Sequence, residues 1–457
     1  MTMDVDELGA RAADAVDMAG RGVGNPPPPA LLRQRWRQRQ RLQLATGVVG
    51  VVAVSVLVVV AAPNLRLQAP EIGTGPTGIP ASPEPSPSQP GATATSDPGG
   101  PIITAGGWTM TAAPAVFSET HGQVLAAAHL DDRTVLVGID ASRASAHTTP
   151  AVWLRDDGGE WRRVPLDHID RGGSRYDAAG VLMTDVAASD DGTLVAIGYA
   201  NFEPRQEPVV WISTDLGESW DLFEDLGGSG DLSLSAVAWG SRGFVIVGTR
   251  EGFPTALWEA DEGWVEGPVD GEGALVAVAP LGNGYVATSI LGDSSGSFVT
   301  GPVTPGAALP EWEHVNFDAG LEVASLLGAP GGVFAAGTSR PDGVDYDGAV
   351  SRSRDGATWD PFGGGGLGGP GDQFVRDVML AVGEEVVAVG SDRERAAIWM
   401  LSGGNWEQLP GELFPEGSSA SVSVMLDGEP VVFGLIQKGD RHEVVTWQRT
   451  RSGPAGG

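Results

Sequence analysis

The sequence predicts an all-β fold: a seven-bladed β-propeller of four-stranded blades, preceded by a single transmembrane helix and a disordered stalk. Three observations predict it. A short apolar strand ending in glycine recurs along the chain, tryptophans mark two further strands after each copy, and a 19-residue run near the N-terminus carries no charge.

Composition sets the outer limits. With 68 Gly and 33 Pro in 457 residues, long helices cannot dominate. The absence of Cys excludes a disulfide scaffold, a thiolate zinc site and a cysteine nucleophile together. A net charge of −31, from 28 basic and 59 acidic side chains, argues against a nucleic-acid partner, which needs a basic footprint. Lys438 is the only lysine, which points to a high-GC genome and says little about mechanism.

Residues 1–43 read as a cytoplasmic tail. Val5, Leu8, Ala12, Val16 and Ala19 fall at helical spacing, and the helix must stop before the run Pro26–Pro29. Arg33, Arg35, Arg37, Arg39 and Arg41 then stand immediately before the apolar run 44–62. At ~1.5 Å per residue that run spans roughly 28 Å, close to the hydrocarbon thickness of a bilayer. Its arginines keep the N-terminus inside and send the rest across, which predicts a single-pass protein of the cell membrane with an extracytoplasmic propeller. A cleaved leader is the rival, since Val60 and Ala62 resemble a cleavage site, but Pro63 would follow the cut.

Residues 63–105 are the stalk. Nine prolines between Pro70 and Pro101, mixed with Ser, Thr, Gly and Ala, leave too little apolar surface to fold. At ~3.1 Å per residue such a segment reaches about 130 Å at full extension, enough to cross a cell-wall layer.

The propeller is expected over 106–453, with 454–457 as a disordered tail. Gly138, Gly198, Gly248, Gly337, Gly390 and Gly434 each end an apolar strand, and YVATSI puts Thr288 where a seventh glycine would sit. An alternating strand precedes each copy, joined to it by hairpin residues such as Asp427-Gly428. Trp153, Trp211, Trp258, Trp399 and Trp447 mark third strands; Trp161, Trp220, Trp264, Trp312, Trp359 and Trp406 mark fourth strands. The last repeat lacks its fourth strand, and Gly107–Thr111 carries an orphan Trp108 strand ahead of the first. Pairing the two closes the ring and hides both sheet edges.

Two hairpins carry a motif. Ser213, Asp215, Gly217 and Trp220 fit S-x-D-x-G-x-x-W at every fixed position, and Ser353, Asp355, Gly356 and Trp359 repeat it one residue shorter. On these residues the region resembles an Asp-box (BNR, sialidase-like) propeller, here as a membrane-anchored bacterial protein. Physics assigns the box a structural role: the carboxylate accepts turn N–H bonds, the glycine allows positive φ, and the tryptophan packs between sheets.

The resemblance implies a search for sialidase machinery: an arginine triad, a tyrosine nucleophile paired with a glutamate, an aspartate acid/base and an Arg-Ile-Pro signature. Arg-Ile-Pro does not occur, and only Tyr176, Tyr199, Tyr285 and Tyr346 are available. Tyr176 alone stands in an Arg-rich loop. Asp342, Asp345 and Asp347 make the best calcium candidate, but they do not align with an EF-hand loop. No catalytic residue, metal site or cofactor is assigned.

The functional expectation is a binding or sensing module for a cell-envelope glycan or protein. A divergent sialidase-like or other glycan-acting hydrolase or lyase is the alternative. Loops between second and third strands share one face with the interblade loops, and there Arg175, Arg205, Arg340, Arg393 and Arg441 are the expected ligand-binding residues, because guanidinium forks suit carboxylates and phosphates.

Overall fold

The computed structural model describes residues 103–118, 122–130, 132–140, 148–166, 180–202, 205–223, 226, 231–260, 263–291, 294–300, 310–317, 320–340, 345–382, 385–439 and 441–449. The expected tail, span and early stalk lie outside the described residues. Among the described residues no helix is long and apolar enough to cross a membrane.

Seven antiparallel sheets make the domain, and in each the chain meanders between neighbouring strands. Blades 1 to 6 cover 123–164, 180–223, 232–268, 274–316, 321–361 and 373–408, with four strands apiece. Blade 7 takes three strands from 418–449 and two from 103–112. Every first strand touches the first strand of the blade before and after it, blade 7 to blade 1 included, so the ring is closed and the first strands surround its axis.

Closure follows the expected pairing. Trp108–Ala112 lies antiparallel to Arg441–Arg449, with Met110 opposite Trp447. The structure adds a strand that the sequence reading had placed in the stalk. Ile103–Ala105 pairs with Trp108–Met110 through the turn Gly106-Gly107, whose φ of 58° and 76° suit a tight two-residue hairpin. Blade 7 therefore has five strands, and Ile103–Ala105 belong to it rather than to the expected stalk.

The core lies between blades, built from the tryptophans. Trp108, Trp153, Trp211, Trp258, Trp399 and Trp447 are fully buried. In blade 4 Phe298 pairs with Ala287 as Trp153 pairs with Leu136, so it takes the tryptophan's place; blade 5 has Ser351 there. Burying six indoles and the β-branched residues around them supplies most of the driving force for closure.

One device repeats seven times. Each first strand carries a β-bulge, at Leu125, Thr184, Ser235, Val276, Ala324, Arg376 and Ser421, where its pairing with the second strand shifts by one residue. The glycine of the second strand lies opposite. A Cβ on Gly138 or Gly390 would fall 1.9 or 1.8 Å from a carbonyl oxygen of the first strand, so a side chain at these two positions would force the backbone to shift. In blade 4 the register assigns this position to Ser289, opposite Leu275, and not to Thr288. Thr288 matches the other glycines by strand ending, but the hairpin at Gly282-Asn283 sets the register one residue further on.

Candidate functional site

Three places hold polar chemistry: the Asp-box turns, the face of the second-to-third hairpins, and the axial ring of bulges. Each Asp-box turn is internally satisfied. Ser213 Oγ donates to Asp215 Oδ1 at 2.8 Å and accepts from the Gly217 N–H. Asp215 also accepts from the Ser219 N–H at 2.9 Å and from its hydroxyl at 2.6 Å. The Trp220 indole donates to the Gly217 carbonyl. The shorter box repeats the scheme, with Asp355 accepting from the N–H groups of Ala357 and Thr358 and Trp359 donating to Gly356.

Electrostatics agree. Burial works against ionisation at Asp215, but bonds from Ser219 and Ser213 outweigh it and hold the carboxyl below its ordinary range. At Asp355 the Thr358 N–H leads the same effect. The two glycines have φ of 88° and 75° and lie against side chains of the preceding blade, Leu154 and Val299 respectively. These boxes are turns that also lock neighbouring blades. Arg133 reinforces one, donating to Leu216 O and Glu218 while it pairs with Asp156 of blade 1.

On the opposite face, Arg340, Arg393 and Arg441 occupy the second-to-third hairpins of consecutive blades 5, 6 and 7, and all three are exposed. Arg340 lies over the Tyr346 ring, 3.6 Å from its centre. Arg393 donates twice to the Pro370 carbonyl, at 3.1 and 2.7 Å, which fastens the glycine-rich interblade loop. That loop is knit further by Gly371 N–H to Asp345 and Tyr346 N–H to Asp372. These hairpins stand one strand out from the axis. Arg205 opens the third strand of blade 2, while its side chain, together with Arg175, lies outside the described residues.

Two of the tyrosines are largely withdrawn from water. Burial pushes the phenols of Tyr199 and Tyr285 up to about 12, and Tyr285 Oη donates to the Gly243 carbonyl at 2.6 Å. Asp345 of the calcium candidate accepts a loop N–H. Among the described residues no cluster of His, Asp or Glu could hold a metal ion.

The sequence reading missed the axial ring. Residues beside each bulge alternate between neighbours: Val375 and Val378 pack toward blade 5, and Met379 packs toward blade 7. Asp377 also turns to blade 7, where Oδ2 accepts from the N–H and hydroxyl of Ser423 at 2.9 and 2.7 Å, while Oδ1 accepts from Val378 N–H. Asp185 does the same in blade 2, accepting from Val186 of its own strand and from Val237 of blade 3 at 2.8 Å. Both carboxylates thus bridge adjacent first strands. Burial drives the Asp185 carboxyl up to about 7, and raises Asp377 as well. A signal was present, since Thr184-Asp185-Val186 and Arg376-Asp377-Val378 each put a carboxylate in a strand that is mostly apolar.

The bulge residues themselves face the axis. Leu125, Val276 and Ala324 are apolar, yet they join none of the interblade clusters that hold their neighbours on both sides. All seven bulge residues are partly exposed, and each follows a buried one.

The arrangement defines a seven-bladed propeller with Asp-box turns on one face, arginine-bearing hairpins on the other and a polar axial ring. No protein-family description matches the chain, and no curated protein matches it. Among solved structures it is similar to YCF48 bound to D1 peptide, at 17% identity and TM-score 0.46, over 76% of this chain and 98% of that one. YCF48 from Cyanidioschyzon merolae gives 16% and 0.47, over 75% and 98%. Trypanosoma rangeli sialidase in complex with sialic acid gives 12% and 0.42, over 72% of this chain and 55% of that one. At these values no residue role transfers, and function rests on the chain's own chemistry.

Proposed function

We propose that this chain is a single-pass membrane protein whose propeller acts outside the cytoplasmic membrane as a binding or sensing module for an envelope glycan or protein. Residues 44–62 supply the span, 63–102 the spacer, and the hairpin face the binding surface. One observation carries the reading: Arg340, Arg393 and Arg441 are exposed on three consecutive blades of one face, whereas the Asp-box acids of the other face are committed to their own turns. Arg175 and Arg205 belong to the same set of loops by topology.

Catalysis of the sialidase kind is the weaker reading, because Tyr199 and Tyr285 are held protonated by burial and Tyr346 lies beneath Arg340. The test is binding of the full-length chain, in detergent, to cell-wall fragments and a glycan array, beside a generic glycosidase assay. Saturable binding that weakens in Arg340→Ala/Arg441→Ala, with the melting temperature unchanged, supports the proposal. Turnover that depends on Tyr176 contradicts it. Protease added to spheroplasts should remove the propeller and spare the tail.

A further inference from the structure

Seven bulge residues ring the axis, and Arg376 is the only charged one among Leu, Thr, Ser, Val, Ala, Arg and Ser. Its guanidinium makes no hydrogen bond or ion pair among the described residues. The nearest acid in sequence cannot serve, because Asp377 spends its oxygens on Val378 and Ser423. Asp185 is occupied likewise by Val186 and Val237. Beside Arg376 stands a further polar atom without a partner: Ser421 Oγ, at the bulge of the adjoining blade 7, is buried and unbonded. Neighbouring bulges thus bring a fork of N–H donors and one hydroxyl to the axis. A buried hydroxyl is costly when unpaired, and a cation largely stripped of water gains from an anion beside it. Burial lowers the Arg376 pKa, the expected mark of a cation short of a counter-charge.

We propose that the axis binds a small oxyanion, a carboxylate or a phosphate group, at Arg376, with the Ser421 hydroxyl as an additional donor. A guanidinium presents parallel N–H groups that match either anion, and a hydroxyl rotates to donate. The carboxylates of Asp185 and Asp377 sit in the same ring but are turned between blades, so they shape the channel without neutralising the arginine. The site is independent of the hairpin face, which stands one strand farther out, and each can fail alone.

The experiment titrates the full-length chain in detergent with inorganic phosphate and, separately, with acetate, each against chloride at equal ionic strength. Calorimetry and melting temperature are read together. The wild type is expected to show one saturable site and a rise in melting temperature for at least one anion, and the responding anion identifies the ligand chemistry. Arg376→Gln should weaken that binding by at least about tenfold and raise the melting temperature in chloride, because it removes an unpaired enclosed charge. Arg162→Gln, an exposed arginine at the rim paired with Glu218, should bind as the wild type does. If Arg376→Gln does not fold, Arg376→Lys keeps the charge without the fork and should weaken binding by roughly tenfold. No saturable response to either anion, or wild-type affinity in the Arg376 variant, overturns the proposal.

Discussion

Asp215 and Asp377 are both aspartates that accept three hydrogen bonds, and the molecule uses them in opposite ways. Asp215 lies in an outer turn, near water, and its partners Ser213 and Ser219 belong to the same hairpin. Asp377 is deeply enclosed at the axis, and two of its three bonds cross to the next blade. Hydrogen bonding governs the first and lowers its pKa, while loss of water governs the second and raises it. The rim carboxylates therefore fix local turns. The axial ones hold neighbouring blades together, and that distinction can be broken by substitution.

The largest effect is expected at the axis. Asp377→Ala strands two N–H groups and a hydroxyl away from water, and should cost about 3 kcal/mol or more. Urea unfolding followed by fluorescence of the buried indoles measures it. Asp185→Ala strands two N–H groups and should fall slightly below. Asp215→Ala and Asp355→Ala come next, at about 1 kcal/mol each, because water can replace part of what the turn loses. A rim variant that costs more than an axial one would break the comparison.

The smallest effect separates the two boxes themselves. The longer box carries an exposed Leu216 at φ 61°, a conformation that leucine adopts at a cost. The shorter box has no counterpart. Leu216→Gly relieves that strain, about 1–2 kcal/mol, against about 0.5–1 kcal/mol for the freedom that glycine adds to the unfolded chain, so a net gain of about 0.5 kcal/mol is expected. A loss would show that the Leu216 side chain contributes more through its packing on Gly192 than it costs in backbone strain.

The outer architecture was readable in the sequence because it repeats in residue type. Glycine-ended strands and tryptophans recur, and an orphan strand at one end completes the blade left short at the other. The axial ring was not readable in the same way. A bulge adds one residue and shifts the alternation, so Arg376 and Asp377 look like ordinary polar positions on a half-exposed strand. The same blindness placed the missing glycine at Thr288 instead of Ser289. Ile103–Ala105 escaped notice because three residues after a proline-rich stretch carry no period, and only pairing with Trp108–Met110 makes them a strand. For Arg340, Arg393 and Arg441, position on one face followed from strand order. The bonds from Arg393 to Pro370 depend on how the interblade loop folds, and no pattern announces that.

The opposed pKa shifts give the sharpest test. With its folded pKa raised to about 7, Asp185 stabilises the protein below the ordinary carboxylate range, and that contribution is lost as pH rises toward 7. Asp215 and Asp355 act in the other sense: their contribution is present above that range and lost as pH falls below it. The decisive measurement is unfolding free energy between pH 5 and pH 8 for the wild type, Asp185→Asn and Asp215→Asn. The account predicts that wild-type stability falls across this interval, that Asp185→Asn flattens the fall, and that Asp215→Asn leaves its slope intact. Equal slopes in the wild type and Asp185→Asn would contradict it.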